Sequence, residues 1–205
     1  IIRCFMKKLL LLLFFIFNSL CISQTAEEYF SLGNEKLEEK KYYEAIQYYN
    51  KAIELNPYDE EAYNNRGIAK NIIGDYYGAI KDYNKAIELN PSSAFAYNNR
   101  GKTKGKLKDY YGAIKDYNKA IKLAPNSIEG YYNRGLAKYE LKDYYGAIED
   151  YNKVIEINPN YAAAYSLRGL AKINLGDKKG GCLDLSKAGE LGMKEAYEAI
   201  EEYCK

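Results

Sequence analysis

Histidine and tryptophan are both absent from the 205 residues of this sequence. Without histidine, the chain can supply neither an imidazole for acid–base catalysis nor a histidine ligand for a metal. Net charge is also small, since 30 lysines and arginines face 28 aspartates and glutamates, which gives +2. This balance provides no broad basic surface for nucleic acid, so we expect no nucleic-acid partner. The abundant residue is tyrosine, with 24 copies.

The first 23 residues are typical of a secretory signal peptide. A basic start at residues 6–8 precedes an apolar run from Leu9 to Phe17, and Cys21 and Ser23 supply small residues near the end. The run is shorter than the roughly 20 residues that a membrane span needs. We expect translation to start at Met6, cleavage after Ser23, and a bacterial protein exported to the periplasm or secreted, without a membrane span in the mature chain.

Two other fates of this N-terminal segment stay open. One is an uncleaved membrane anchor. The other is a lipoprotein lipidated at Cys21, although Leu20 stands where a small residue is expected. Cleavage would remove three cations and no acid, so the mature chain would be almost neutral.

A repeat of 34 residues fills the rest of the chain, as two sets of residues show. Arginine recurs at this interval as Arg66, Arg100, Arg134 and Arg168, and proline as Pro57, Pro91, Pro125 and Pro159. Within each window, apolar residues are spaced by three and four, which predicts two amphipathic helices. Small residues at positions 8 and 20 let the two helix backbones approach closely, and the proline ends the pair.

This pattern resembles the tetratricopeptide repeat. The family's aromatic residues at positions 4 and 24, glycine at 8, alanines at 20 and 27 and proline at 32 are present in four windows, except that Val154 replaces one alanine. The resemblance implies an all-α, right-handed superhelical solenoid of helix–turn–helix repeats. The expected repeats are 26–59, 60–93, 94–127, 128–161 and a degenerate 162–192, followed by a capping helix over 193–205.

The resemblance also implies a concave groove lined by the first helix of each repeat. The residues at the lining positions combine amides with aromatic and aliphatic side chains. They are Asn34, Asn64, Asn65, Ile68, Phe95, Asn98, Asn99, Lys102, Tyr132, Asn133, Leu136 and Tyr139. Amides can pair with a peptide backbone and aromatic rings bury area with few rotors, so we expect a protein or peptide partner. Alternatively, Asn65, Asn99 and Asn133 cap or bridge neighbouring repeats.

Some members of the family clamp a C-terminal carboxylate with lysine, arginine and asparagine. The cationic positions of that clamp fall here on Phe95 or Glu129 and on Asn99 or Asn133, so this clamp is not expected. The glycines punctuate repeats and form no phosphate loop, and no serine or cysteine has a histidine base. We therefore expect no enzyme, no catalytic or metal site and no cofactor.

Tyrosine pairs recur at 42–43, 76–77, 110–111 and 144–145. The first tyrosine of each pair falls at a core position. We expect the second to pack between repeats; the alternative is an exposed ladder that forms another binding face. Three glycines follow directly, at 78, 112 and 146, and we expect them to make room for the tyrosine rings.

Two polar positions change together within the chain. Windows 2 to 5 carry arginine at position 7 and aspartate at position 23, whereas the first window has Leu32 and Tyr48. This covariation predicts the contacts Arg66–Asp82, Arg100–Asp116, Arg134–Asp150 and Arg168–Asp184. The competing interpretation is that each arginine reaches outward to a ligand.

The cysteines predict a disulfide bond at the C-terminus. Cys4 and Cys21 lie in the segment expected to be removed, which leaves Cys182 and Cys204 as a pair in an oxidising compartment. Such a bond would hold the capping helix; the alternative is two buried thiols. For the whole protein, the leading hypothesis is a protein-interaction scaffold in the cell envelope. A self-associating spacer and an envelope-glycan-binding module are the alternatives.

Overall fold

The computed structural model describes residues 25–205, so the predicted signal peptide, Cys4 and Cys21 lie outside the described residues. The described chain is all-α, with five helical pairs and one final helix. The pairs are α1 Ala26–Glu38 and α2 Tyr42–Leu55, α3 Glu60–Ile72 and α4 Tyr76–Leu89, α5 Ala94–Lys106 and α6 Tyr110–Leu123, α7 Ile128–Glu140 and α8 Tyr144–Ile157, α9 Ala162–Asn174 and α10 Lys178–Glu190, and the final helix is α11 Glu195–Tyr203.

These helices fall into two compact units that meet in sequence at Pro57 and Tyr58. In the first unit, α1 packs on α2. In the second unit the two helices of each pair pack together, and each second helix also packs on the first helix of the next pair. Within residues 25–205, no helix combines the length and apolarity needed to cross a bilayer.

Aspartate side chains start the second helices of the second unit. Asp75, Asp109, Asp143 and Asp177 each accept a hydrogen bond from the backbone N–H of the glycine three residues later, at 2.8–3.0 Å. A β-carbon on any of these glycines would lie 2.0–2.3 Å from the capping carboxylate. The glycines therefore leave room for the cap, and the expectation that they accommodate tyrosine rings was wrong.

The first repeat supports this explanation. Lys41 stands at the cap position of α2 and makes no side-chain cap, and Glu44 takes the place of the glycine. Among the second helices, glycine thus occurs three residues after the cap position where an aspartate caps the helix. The glycine and the aspartate cap therefore form one structural unit in these helices.

Glycine at position 8 brings the two helices of a pair together in a different way. In the first four repeats a tyrosine ring lies over this glycine, and a β-carbon on Gly67 would be only 2.6 Å from the ring of Tyr83. In the fifth repeat Leu185 replaces the tyrosine, and a β-carbon on Gly169 would be 2.8 Å from the carbonyl oxygen of Gly181. There the two backbones themselves approach.

The turn inside each helical pair requires a left-handed backbone. Gly74 and Gly176 adopt φ of 88° and 89°, while Lys40, Lys108 and Lys142 hold the same turn at 61–62°. A residue with a β-carbon pays for this conformation with about 1 kcal/mol relative to glycine. Three of the five turns are therefore less stable than the other two.

Lys108→Gly is expected to raise the free energy of unfolding by about 1 kcal/mol, because glycine removes the steric conflict of the left-handed turn. Denaturant unfolding of the full chain measures it. Lys108→Ala, which removes the long side chain but keeps the β-carbon, is the matched control and should give no such gain. Equal stability of the glycine and alanine variants would contradict the explanation.

The last helix closes the array within the predicted capping segment. Ala196 of α11 is buried. The ring of Tyr197 packs closely against Gly189, since a β-carbon on this glycine would be only 2.8 Å from the ring. Cys182 in α10 is joined to Cys204, with Cα atoms 5.9 Å apart and a sequence separation of 22. The ammonium group of Lys178 also donates to the carbonyl oxygen of Lys205 at 2.8 Å.

Reduction of this disulfide is expected to lower the free energy of unfolding by about 3 kcal/mol, because an open chain gains entropy that the closed loop lacks. Denaturant curves of the full chain with and without a reductant measure the change. The Cys182→Ser/Cys204→Ser variant should unfold like the reduced protein and should not respond to reductant. Identical curves for the oxidised and reduced chains would show that the bond does not hold α11.

Candidate binding face and the ionic network beneath it

Each repeat of the second unit is held by a buried aspartate that meets an arginine from the paired helix. In all four pairs named above, Nε of the arginine donates to Oδ2 at 2.8–2.9 Å and Nη2 donates to Oδ1 at 2.5–2.6 Å. The aspartates are only 2–6% exposed. This two-pronged geometry suits the planar guanidinium group and keeps the carboxylate paired inside the array.

A lysine completes each carboxylate site, and the sequence analysis missed it. Lys70, Lys104, Lys138 and Lys172 place their ammonium groups 2.8–2.9 Å from Oδ2 of the same aspartates. The signal was available, since these lysines also recur every 34 residues, four positions after each arginine. Every buried aspartate of this unit therefore faces two cations.

The arginines also link neighbouring repeats. Nη1 of Arg100, Arg134 and Arg168 donates at 2.6–2.7 Å to an asparagine in the second helix of the preceding repeat. The acceptors are Asn84, Asn118 and Asn152. Since Nε and Nη2 already bind aspartate, these guanidinium groups are engaged inside the array rather than presented to a ligand.

In the first repeat a tyrosine, Tyr48, stands at the position of the buried aspartate. Tyr48 stacks on Tyr29 with ring centroids 6.4 Å apart. The ammonium group of Lys51 lies 5.0 Å from the centroid of Tyr29, within range of a cation–π interaction. Tyr48 therefore makes an aromatic contact in the first repeat at the position where the later repeats have the aspartate of the ionic pair.

Asp116→Ala is expected to destabilise the chain by about 3–5 kcal/mol, because it strands the partly buried guanidinium group of Arg100. The double variant Arg100→Leu/Asp116→Tyr copies the residues of the first repeat. Its loss in free energy of unfolding should be smaller than the sum of the losses in Arg100→Leu and Asp116→Tyr measured separately. Glu149→Ala, at an exposed acid, is the control and should stay within about 0.5 kcal/mol. Wild-type stability of Asp116→Ala in denaturant unfolding would exclude a structural role for the network.

The first helices of the second unit form its candidate binding surface. α3 contacts α5 and α5 contacts α7, so the exposed sides of these helices make one continuous strip. We call this strip, which carries the predicted lining residues from Asn64 to Tyr139, the inner face. The remaining predicted residue, Asn34, belongs to the first unit, where its side-chain oxygen accepts from the hydroxyl of Tyr49 at 2.7 Å.

Asparagines of the inner face bridge adjacent repeats. Nδ2 of Asn99 donates to Oδ1 of Asn64 at 3.1 Å, and Nδ2 of Asn133 donates to Oδ1 of Asn98 at 3.4 Å. Asn64 also donates to Asn65 at 3.2 Å. The alternative that we left open, bridging between repeats, therefore describes Asn99 and Asn133. Each of these two asparagines still has an N–H donor and a carbonyl acceptor for a peptide backbone, because its bond to the neighbouring repeat uses only one N–H.

Phe95 is the most prominent apolar residue of the inner face. Its side chain is 74% exposed. It borders a largely apolar pocket of about 760 Å³ that extends to Ile128 and Tyr161. An exposed ring beside a pocket of this volume is the type of anchor that a partner side chain can bury.

The other aromatic residues of the predicted lining are half-buried. Tyr132 packs between Tyr151 and Tyr161, with ring centroids at 6.2 and 5.4 Å, and burial raises its pKa. Tyr139 packs edge-on against Tyr144 at 5.2 Å, and its hydroxyl accepts from Asn174 at 3.1 Å. Leu136 is half-buried as well. These residues shape the floor of the inner face, and Phe95 and Lys102 project from it.

A small pocket of mixed polarity lies between α3 and α5. Ile68, Asn99 and Lys102 were predicted to line the groove, and here they line one pocket of about 190 Å³ together with Asn71 and Lys106. The amide group of Asn71 donates to the hydroxyl of buried Thr103. The ammonium group of Lys106 donates to Oδ1 of Asn71 at 2.5 Å.

The second tyrosine of each pair is exposed. Tyr43, Tyr77, Tyr111 and Tyr145 are 71–78% exposed, so the expectation that they pack between repeats was wrong. The alternative, a ladder of exposed rings, describes them. In the second unit the ladder lies on α4, α6 and α8, the second helices of the pairs.

The model of the tetratricopeptide repeat matches residues 26–59, 60–93, 94–127 and 128–161. These windows cover most of the chain and coincide with the first four helical pairs. The chain belongs to the tetratricopeptide repeat family. The fifth pair lies beyond the match, although it retains the Arg168–Asp184 contact.

Solved structures share this architecture. A crystal structure of MamA is 29% identical, with a TM-score of 0.74 over 80% of this chain and 96% of MamA. The first tetratricopeptide repeat domain of Spaghetti (RPAP3), solved with the HSP90 peptide SRMEEVD, is 32% identical, with a TM-score of 0.56 over 58% of this chain and 94% of that domain.

A relative from the archaeon Methanocaldococcus jannaschii, the uncharacterized protein MJ0572, is 41% identical over 49 residues. The match spans 24% of this chain and 57% of the relative. It therefore supports shared repeats and does not identify a common activity.

Proposed function

We propose that this protein is a non-enzymatic interaction scaffold that binds a peptide or helix of a partner protein on the inner face of its repeat array. The observation that carries the proposal is Phe95, an exposed ring beside a pocket of about 760 Å³ on a surface rich in amide side chains. The ionic network joins the two helices of each repeat in the second unit and so holds the first helices in place, which limits the rearrangement needed on binding.

The comparisons support the same mode of action. Tetratricopeptide repeat proteins are protein-interaction scaffolds, and one of the similar structures, the Spaghetti domain, is bound to a peptide. In our proposal the partner of the present chain meets it in the cell envelope after export. The signal-like sequence of residues 1–23 and the pairing of Cys182 with Cys204 support that location, because disulfide bonds persist in oxidising compartments.

The exposed tyrosine ladder favours a second candidate, a binding face on the second helices. Aromatic rings that stay in water can pack against protein side chains or against the faces of sugars. The two candidates differ in which aromatic residue the ligand buries. Phe95 and Tyr77 provide a matched pair of residues for distinguishing them. Phe95 is 74% and Tyr77 is 78% exposed, so neither is needed for the core.

Phe95→Ala is expected to weaken binding of peptides selected from a random-sequence phage library about tenfold, since a buried aromatic anchor contributes more than 1 kcal/mol. Tyr77→Ala should leave their affinity unchanged. Fluorescence anisotropy with the full chain measures both. Loss of binding in Tyr77→Ala alone would move the site to the tyrosine ladder. Selection of no peptide, together with self-association in sedimentation, would favour the spacer role instead.

A further inference from the structure

One first helix, α5, departs from the repeat pattern in its second half. From the arginine onward, α3, α7 and α9 read RGIAKNI, RGLAKYE and RGLAKIN, whereas α5 reads RGKTKGK. The arginine, glycine and second lysine that build the ionic network are kept. The changes fall on residues 102, 103, 105 and 106, which are not part of the ionic network.

Two of these changes place a pair of cations on the inner face. Lys102 replaces an aliphatic residue, Ile68 in α3 and Leu136 in α7, and Lys106 lies one turn further along the same helix. Both side chains line the pocket of about 190 Å³ between α3 and α5. Among residues 25–205, no carboxylate lies within salt-bridge distance of either ammonium group.

Neutral groups orient Lys106 without neutralising its charge. Lys106 donates to Oδ1 of Asn71 at 2.5 Å and its ammonium group lies 5.3 Å from the ring centroid of Tyr76. Burial and the neighbouring charge of Lys102 lower the pKa of Lys106. An incoming anion would relieve this repulsion, so the pair is preorganised for negative charge.

The third change opens space beside the two lysines. A β-carbon on Gly105 would meet nothing closer than the hydroxyl of Tyr117, at 4.0 Å. The other repeats of this unit fill the same position with Asn71, Tyr139 or Ile173. Tyr117 is 3% exposed, and within the described chain its hydroxyl has no hydrogen-bond partner. This phenol group is therefore a free donor at the floor of the opening.

We propose that Lys102 and Lys106 bind the carboxylate of an aspartate or glutamate side chain in the partner peptide, with the Tyr117 hydroxyl as an additional donor. This inference rests on the proposed function and names the chemistry of the partner. The site differs from a clamp at positions 2 and 6 of a repeat, where this chain carries Phe95 and Asn99. Two cations on α5 and one donor on α6 match an acidic side chain better than a neutral one.

The test compares peptides selected by the full chain and by Lys102→Ile/Lys106→Ile, which gives α5 the residues Ile68 and Ile72 of α3. Wild type should enrich aspartate and glutamate from the random-sequence library, and the variant should lose this preference. A selected acidic peptide should bind the variant about tenfold more weakly, and its glutamine or asparagine analogue should bind both proteins alike. Binding to wild type should weaken with added salt.

Lys102→Glu provides a second variant at an exposed position, and it should weaken the acidic peptide further. Enrichment of neutral peptides whose binding depends on Phe95 would contradict this inference and leave the proposed function standing. The same acidic preference in the double isoleucine variant would also contradict it. If neither protein selects a peptide, the proposed function fails and this inference fails with it.

Discussion

The second unit depends on one buried carboxylate in each of its four repeats. Each of these aspartates lies within 2.9 Å of a guanidinium and an ammonium group, both from the first helix of the same repeat. A buried charge without partners would cost several kcal/mol, so the three side chains must be present together. Because Nη1 of the arginine reaches an asparagine of the preceding repeat, the same network also sets the spacing between repeats.

This division of labour leaves the inner face free to vary. The ionic network, the glycines under tyrosine rings and the aspartate caps are repeated with few changes, whereas residues 102, 103, 105 and 106 of α5 differ from their counterparts in the other first helices of this unit. The departure leaves the ionic network intact, and of the four residues only Thr103 is buried. The departure changes the chemistry that α5 presents, which is why we locate specificity there.

The fold and the internal pairs could be predicted from the sequence because a period of 34 residues exposes every structural position several times. Leu32 and Tyr48 stand in the first repeat where the later repeats have arginine and aspartate. This joint change was enough to predict the contact between Arg100 and Asp116. The third member, Lys104, was missed because lysine is frequent at exposed helix positions and its recurrence looked uninformative. The exposure of the tyrosine ladder was also missed, since periodicity alone does not distinguish the two sides of a second helix.

Binding residues are harder to predict because they are the ones that break the period. Lys102 was identified by its lining position, but Lys106, Gly105 and Tyr117 became visible only when the structure brought α5, α6 and the side chain of Asn71 together. The bond between Asn99 and Asn64 likewise depends on how adjacent helices meet. Such contacts join residues far apart in sequence, and no local pattern records them.

The central claim, that a partner peptide lies across the inner face, can be tested by photo-crosslinking. A selected peptide that carries a benzophenone group would be bound to the full chain, irradiated, digested and mapped by mass spectrometry. Crosslinks to residues 94–106 of α5 and to neighbouring first helices are the predicted result. Crosslinks concentrated around Tyr77, Tyr111 and Tyr145 would contradict the account and place the ligand on the second helices.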